Sequence, residues 1–98
     1  MLNNVFLVGY CSKILENGEE NITLEVAVSS SFKNSKGEYD VDTISCILIG
    51  SIAGNAKEYI NVNNLVGIKG RLQETSGNVT VLVEKITFLS SKKESDNE

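Results

Sequence analysis

The stretch from Thr43 to Leu72 limits the fold more than any other part of the chain, because its apolar periodicity changes twice. Residues Ile44 to Ile49 are apolar except for Ser45 and rich in isoleucine, which is typical of a strand covered on both faces. Gly50 interrupts this run, and Ser51 is a candidate helix N-cap. The apolar residues that follow recur at the spacing of one helical face: Ile52, Ala56, Tyr59 and Ile60. A strand and then a short helix are therefore predicted.

The remainder of this stretch changes to a period of two. After a polar turn at 61–64, the apolar series Val66, Ile68, Gly70, Leu72 alternates with the series Gly67, Lys69, Arg71. Because successive side chains of a strand point to opposite faces, the two basic residues are predicted to lie on the face away from the core.

Three further strands are predicted around this unit. The first begins at Val5 to Val8 and continues to residue 11, and a polar turn at 12–21 separates it from the second, Ile22 to Val28. The fifth follows a tight turn at 75–78, and its apolar residues change parity near 84–85, where a bulge is expected. Five strands with one short helix between the third and fourth predict an all-β OB-fold, a five-stranded Greek-key barrel.

Composition limits the classes of function. The 98 residues form one domain, predicted at 1–89, followed by a mobile charged tail at 90–98. No apolar run approaches the ~20 residues of a membrane span, and no basic segment precedes Val5 to Val8, so we expect a cytoplasmic protein without a membrane partner. Cys11 and Cys46 are expected to be buried thiols. Without histidine or a C-x-x-C pair, we expect no enzyme, no metal site and no cofactor.

The formal net charge of −4 means that any anion site must be a local patch. A polar loop predicted at 29–42 holds the best candidates: Phe32, Lys33, Lys36 and Tyr39. In one interpretation the loop is a finger whose rings stack on nucleobases while its lysines meet phosphates. In the other interpretation it is a solvated hairpin whose rings pack over the bottom of the hairpin itself. This is favoured because the negative charges of Glu38, Asp40 and Asp42 offset the positive charges of the lysines.

Five segments in order resemble bacterial single-stranded DNA-binding proteins. They are M-L-N-N-V-F-L-V-G, then I-T-L-E-V-A-V running into S-S-S-F-K-N-S-K-G-E, then D-T-I-S-C-I-L-I-G, L-V-G-I-K-G-R-L-Q and a closing I-T-F-L, collinear over residues 1–89. The resemblance implies an OB-fold that assembles through its first strands and wraps single strands without sequence preference. Carried over by position, it makes Phe32 a base-stacking ring with Lys33 beside it. It also places Lys69 and Arg71 on the strand of the Gly-Arg-Leu segment, where DNA contact and an outward polar face are both open.

The chain also departs from that family. Thr43 and Ile49 stand where the family commonly has aromatic residues, and the chain has no tryptophan. The loop between the fourth and fifth strands is shortened to 74–78, so each barrel is expected to grip only a few bases. The tail lacks the family's ending in proline and phenylalanine, and recruitment of partners through it is not expected.

Two functions are open at this point. One is sequence-independent binding of single-stranded DNA in replication, repair or mobile-element maintenance, with these candidate contacts: Tyr10, Phe32, Lys33, Lys36, Tyr39, Lys69 and Arg71. The other is a protein-interaction or primosome-like accessory subunit with weak or no DNA binding, which the net acidic body favours. In both, the apolar edge Val5 to Val8 predicts a homo-dimer or homo-tetramer.

Overall fold

A computed structural model describes residues 3–18 and 20–91, which form five strands and one helix. They are β1 (Val5–Glu16), β2 (Asn21–Lys33), β3 (Tyr39–Ile49), α1 (Ser51–Ala56), β4 (Asn64–Thr75) and β5 (Asn78–Ser91). The strands close into a barrel in the order β1-β2-β3-β5-β4, and the β3–β5 pair is the parallel one. This confirms the predicted OB-fold, with its helix between the third and fourth strands.

The core lies inside the barrel and is built from alternate residues of the strands. Fully buried members are Cys11, Ile22, Leu24, Val26, Cys46, Leu48 and Val66, with Val81 almost so. Burial raises the pKa of Cys46 to about 12, with the nearby Cys11 thiol adding to the effect, and burial also raises the pKa of Cys11. Both cysteines are free and buried, as predicted.

Three strands are longer than the sequence predicts. β1 continues to Glu16 through the predicted turn, because a bulge between Cys11 and Lys13 restores its pairing with β2. β2 extends to Lys33 and β3 begins at Tyr39, so only 34–38 of the predicted loop is a loop. Apart from Ile14, which packs against the core, the residues of these extensions have no core face, and the apolar alternation that marks a strand in the sequence is therefore absent from them.

The central unit differs in two details. Gly50, at φ 70°, occupies the N-cap position that was predicted for Ser51, and α1 ends at Ala56. Tyr59, predicted on the buried helical face, is 62% exposed because it lies in the turn beyond the helix. β3 is covered on one face rather than two, since Ile49 is 47% exposed.

The second half of the barrel agrees with the predicted pattern except at Leu72, which was predicted on the core face but is 48% exposed, because β1 covers β4 only as far as the Val5–Gly70 pair. Lys69 pairs with Lys85 and Gly70 with Val83, so Glu84 is the extra residue of the expected bulge. The turn between β4 and β5 has Ser76 and Gly77 both at positive φ, as a two-residue hairpin requires. β5 ends at Ser91, and residues 92–98, on which the predicted tail falls, lie outside the described residues. Within the described residues, no helix combines the length and the apolar character needed to cross a membrane.

Candidate nucleic-acid interface

The far ends of β2 and β3 leave the barrel as a two-stranded ribbon. β2 pairs with β1 as far as Ala27, whereas its pairing with β3 continues to Lys33 and Tyr39. Every residue of β3 from 39 to 43 is exposed. We call residues 28–43 the ribbon. It carries four of the candidate side chains at a place where a flexible ligand has free access.

Phe32 is the most exposed large apolar side chain of the described residues, at 81%. The pairing of the ribbon shifts register between Ser29 and Lys33, which takes the backbone at Phe32 out of the regular ladder. The Ser30 hydroxyl fills the gap, donating to the Phe32 carbonyl and accepting from the Phe32 N–H, both at 3.1 Å. The ring is thus held outward by a local backbone arrangement and is not a core residue.

Tyr39 and Lys33 form a pair across the ribbon. They are register partners, and the Lys33 Nζ lies 5.7 Å from the centroid of the Tyr39 ring, within cation–π range. Tyr39 is still 56% exposed. An exposed ring beside a cation provides stacking and phosphate attraction in one place.

The Asn34 side chain organises the loop that presents Lys36. Its Oδ1 accepts from the backbone N–H groups of Lys36 at 2.8 Å and Glu38 at 3.1 Å. Its Nδ2 donates to Asp40 Oδ1 at 2.9 Å, so the one carboxamide joins both sides of the loop. Gly37, at φ 80°, completes the turn.

Two residues of this surface were missed by the sequence analysis. Val41, 57% exposed, and Thr43 lie on the outer face of β3 in line with Tyr39, since all three are odd-numbered positions of one strand. The alternation of Tyr39, Val41 and Thr43 with the acidic residues between them indicates a strand, but this pattern was not used because residues 29–42 were predicted to be a loop. Val41 adds apolar surface beside the rings.

Tyr10 lies at the margin between the ribbon and the barrel. It pairs with Ala27 of β2 on one side and Leu65 of β4 on the other, and its ring is 47% exposed. Ala27 in turn pairs with Thr43, so Tyr10 shares its outer face with the base of the ribbon.

Lys69 and Arg71 lie on a second surface, the outer face of β1 and β4, which we call the wall. Lys69 pairs with Phe6, and Lys69 Nζ contacts Glu84 Oε1 at 3.0 Å in an exposed ion pair. Phe6 is 72% and Val8 58% exposed. β1 separates β4 from β2 in the barrel, so the structure groups Phe32, Lys33, Lys36 and Tyr39 together but keeps Lys69 and Arg71 apart from them.

The edge of β1 is open along its first half. Val5 to Tyr10 pair with β4, but pairing with β2 begins only at Tyr10. The other edge of Val5 to Val8 has no strand paired with it among the described residues, whereas Gly9 already lies against Ala27 of β2. A second strand could therefore add there.

Comparison with known proteins identifies relatives of the whole barrel. A family model described as the single-strand binding protein family matches residues 2–88. Single-stranded DNA-binding protein 1 of Staphylococcus aureus is 37% identical over 78 residues, which cover 74% of this chain and 47% of that protein. The single-stranded DNA-binding protein of Bacillus cereus is 31% identical and is matched over 94% of this chain and 62% of its own length. This chain thus spans about half to three-fifths of these relatives.

Among solved structures, the single-stranded DNA-binding protein of Plasmodium falciparum in complex with single-stranded DNA superposes with a TM-score of 0.71. The identity is 18%, and the match covers 92% of this chain and 96% of that one. A likeness at this identity supports the fold of the barrel.

Proposed function

The chain belongs to the single-strand binding protein family, and we propose that it binds single-stranded DNA without sequence preference, in replication, repair or mobile-element maintenance. The observation that carries the proposal is the ribbon, where Phe32 and Tyr39 are exposed and Lys33 lies over the Tyr39 ring. Every base has a face that stacks on an aromatic ring. Such a surface therefore binds through stacking and through attraction between lysines and phosphates, and it does not require sequence-specific hydrogen bonds to the edges of the bases. The protein acts as a binder and not as an enzyme, in the cytoplasm, where a bacterial chromosome is replicated.

The ribbon is proposed to carry the main contacts. Phe32 and Tyr39 stack on bases, while Lys33 and Lys36 meet phosphates. The ribbon is narrow and the turn at Ser76-Gly77 is short, so each subunit is expected to cover a number of nucleotides near the low end of the ~4 to 16 bound by OB-folds.

The experiment is a titration of fluorescently labelled single-stranded DNA, single-stranded RNA and duplex DNA of equal length, at low and moderate salt. We expect single-stranded DNA to bind at low salt, to bind more weakly as salt rises, and to be preferred over duplex. No binding of any single strand at low salt would contradict the proposal and would favour the alternative, a protein-interaction or primosome-like subunit.

We further propose that two copies associate through the open edge of β1, Val5 to Val8, around a two-fold axis. An antiparallel strand would satisfy the backbone groups along this edge, and the exposed Phe6 and Val8 would lie near the new junction. Sedimentation equilibrium at micromolar concentration should give a dimer or a tetramer, and Phe6→Asp should shift the mass toward the monomer. A monomeric mass for the unaltered chain would contradict this arrangement.

A further inference from the structure

We propose that the concavity between Tyr10 and Asn63 is a second nucleobase subsite, in which the Tyr10 ring stacks on a base and the Asn63 carboxamide binds the polar edge of that base. This inference rests on the single-strand binding proposed above. It adds a position on the barrel itself that holds the strand after it leaves the ribbon.

The concavity has a volume of about 400 Å³, within the range of small-ligand sites, and is lined by Tyr10, Cys11, Ser12, Ala27 and Asn63. The lining residues are of mixed type, with an aromatic residue, a cysteine, two small residues and an asparagine, and the Ser12 hydroxyl already donates to the Glu25 carbonyl at 3.0 Å. The neighbour of Tyr10 on β2 is Ala27, whose methyl group is too small to cover the ring. The ring therefore keeps about half of its surface open, at 47% exposure.

Asn63 is held at the rim by its backbone and not by its side chain. Its N–H donates to the Cys11 carbonyl at 2.7 Å, which attaches the turn before β4 to the bulged part of β1. Its φ of 78° is in the left-handed region, which asparagine tolerates better than most residues. The main chain thus fixes the Asn63 Cα at the rim, and rotation of the exposed side chain brings the carboxamide to a base stacked on Tyr10.

The two neighbouring asparagines have different surroundings. Asn64 is buried, and its Oδ1 accepts from the Asn61 N–H at 2.7 Å, so it stabilises the turn. Asn63 is exposed, and its carboxamide makes no hydrogen bond within the described part of the chain. A carboxamide offers both a donor and an acceptor, and because the edge of every base carries at least one of the two, it can bind any base, as binding without sequence preference requires.

The concavity continues the surface of the ribbon. Tyr10, Ala27 and Thr43 are successive register partners on one outer face, and Phe32 is five residues beyond Ala27 along β2. At ~3.3 Å per strand residue the two rings are about 17 Å apart along the strand direction. The residues between them on this face are small, including Ser29 and Thr43, so an extended strand could lie over them.

The experiment measures the affinity of two variants for a set of oligonucleotides, each of which has a single abasic site at a different position along the strand. Tyr10→Leu removes the ring, and Asn63→Gly removes the carboxamide while allowing the same positive φ. Tyr59→Leu is the matched control, since Tyr59 is also an exposed tyrosine, at 62%, and lies beside Phe88, away from the concavity. Mass and melting temperature are recorded for each variant.

For an oligonucleotide without an abasic site, we expect Tyr10→Leu to weaken binding about 5- to 150-fold and Asn63→Gly about 2- to 10-fold. The affinity of Tyr59→Leu should stay within about 2-fold of that of the unaltered chain. If both groups contact one base, removing that base should reduce the affinity loss of both variants, so the two losses should become smaller with the same abasic oligonucleotide. For the same reason, the affinity loss of the double variant should be smaller than the product of the two single losses.

Outcomes that overturn the subsite differ from those that overturn the function. If the unaltered chain binds and Phe32→Ala weakens it, but Tyr10→Leu and Asn63→Gly do not, only the subsite is wrong. The subsite is also wrong if losses at Tyr10 and Asn63 map to different abasic positions or follow a change in mass. If the unaltered chain binds no single strand, the proposed function fails and the subsite fails with it.

Discussion

The ribbon and the wall both expose aromatic and basic side chains, but they differ in what supports those side chains. On the ribbon, Phe32 and Tyr39 stand on two strands that pair with each other beyond the barrel. On the wall, Phe6 and Lys69 stand on strands whose opposite face is the core. A narrow ribbon suits a flexible ligand that wraps around it, and a broad sheet face beside an open edge suits another rigid subunit. Residue type alone therefore does not separate a DNA contact from a subunit contact.

The wall is the outer face of strands whose other face forms the core. The largest loss of stability is therefore expected where the barrel leaves no room for an added side chain. A Cβ added at Gly70 would lie 2.3 Å from the Leu82 carbonyl oxygen, a backbone atom that cannot move freely. Gly70→Ala should lower the free energy of unfolding by about 3 kcal/mol or more, measured by urea denaturation. Gly67→Ala is the control on the outer face, where the nearest contact is the Leu89 side chain at 3.6 Å, and should change stability by less than about 1 kcal/mol. If Gly70→Ala lowered the free energy of unfolding no more than Gly67→Ala does, the barrel backbone around Gly70 would be shown to move aside, contrary to this expectation.

Two exposed phenylalanines test the division between the surfaces directly. Phe32→Ala should weaken single-strand binding by about 1 to 3 kcal/mol per stacked base, while the melting temperature stays nearly constant because the ring is 81% exposed. Phe6→Ala should instead weaken self-association and leave the affinity per subunit within about twofold. Affinity by anisotropy and mass by sedimentation check both. If Phe6→Ala affects affinity and Phe32→Ala affects mass, the two assignments must be exchanged.

The interior behind both surfaces is expected to respond to alkaline pH. Burial raises the pKa of Cys46 from an ordinary 9.0 to about 12, so the folded chain keeps a proton that the unfolded chain releases above about pH 9. The free energy of unfolding should therefore fall as pH rises from about 9 to 12, by up to about 1.4 kcal/mol per pH unit for this thiol. Urea denaturation at pH 8, 9 and 10 checks the slope. Cys46→Ala should flatten it, and identical slopes would contradict the role of this thiol.

The smallest expected effect concerns the cations. Replacing Lys33 and Lys36 by alanine should lower the slope of log affinity against log salt by about 0.7 for each phosphate that these lysines neutralise. Replacing Lys69 and Arg71 should lower it less, since Lys69 already pairs with Glu84. Binding titrations at four salt concentrations measure both slopes. A larger change from the wall pair would place the DNA across β4, and in that case the ribbon would not be the main site.

The barrel could be predicted from the sequence because its strands have a core face. The alternation of Ile22, Leu24 and Val26 and the parity change near Glu84 are direct consequences of burial, and both agree with the structure. The ribbon could not be predicted as strand because, beyond Val28, it has no core face; Phe32 and Tyr39, both predicted as base contacts, lie on its two paired strands.

The rest of the candidate site depends on contacts between distant parts of the chain. Tyr10 and Asn63 are 53 positions apart, and the pairing of Tyr10 with Leu65 of β4 together with the hydrogen bond from Asn63 to Cys11 brings them to one concavity. Lys69 resembled a phosphate contact in the sequence, but its ion pair with Glu84 depends on the register of β4 and β5. Register and closure are tertiary properties that a single sequence without alignment does not reveal.

The hydrogen bonds of Asn34 have a consequence for the speed of recognition. The loop at 34–38 is ordered by its own side chain before any ligand arrives, with three hydrogen bonds from one carboxamide. An encounter with a strand then requires rotation of the exposed side chains and no ordering of the backbone, so association should be limited by diffusion and not by a conformational step. Differences in affinity among variants of the ribbon would accordingly appear in the dissociation rate, and a bound strand could be exchanged quickly when another protein needs it.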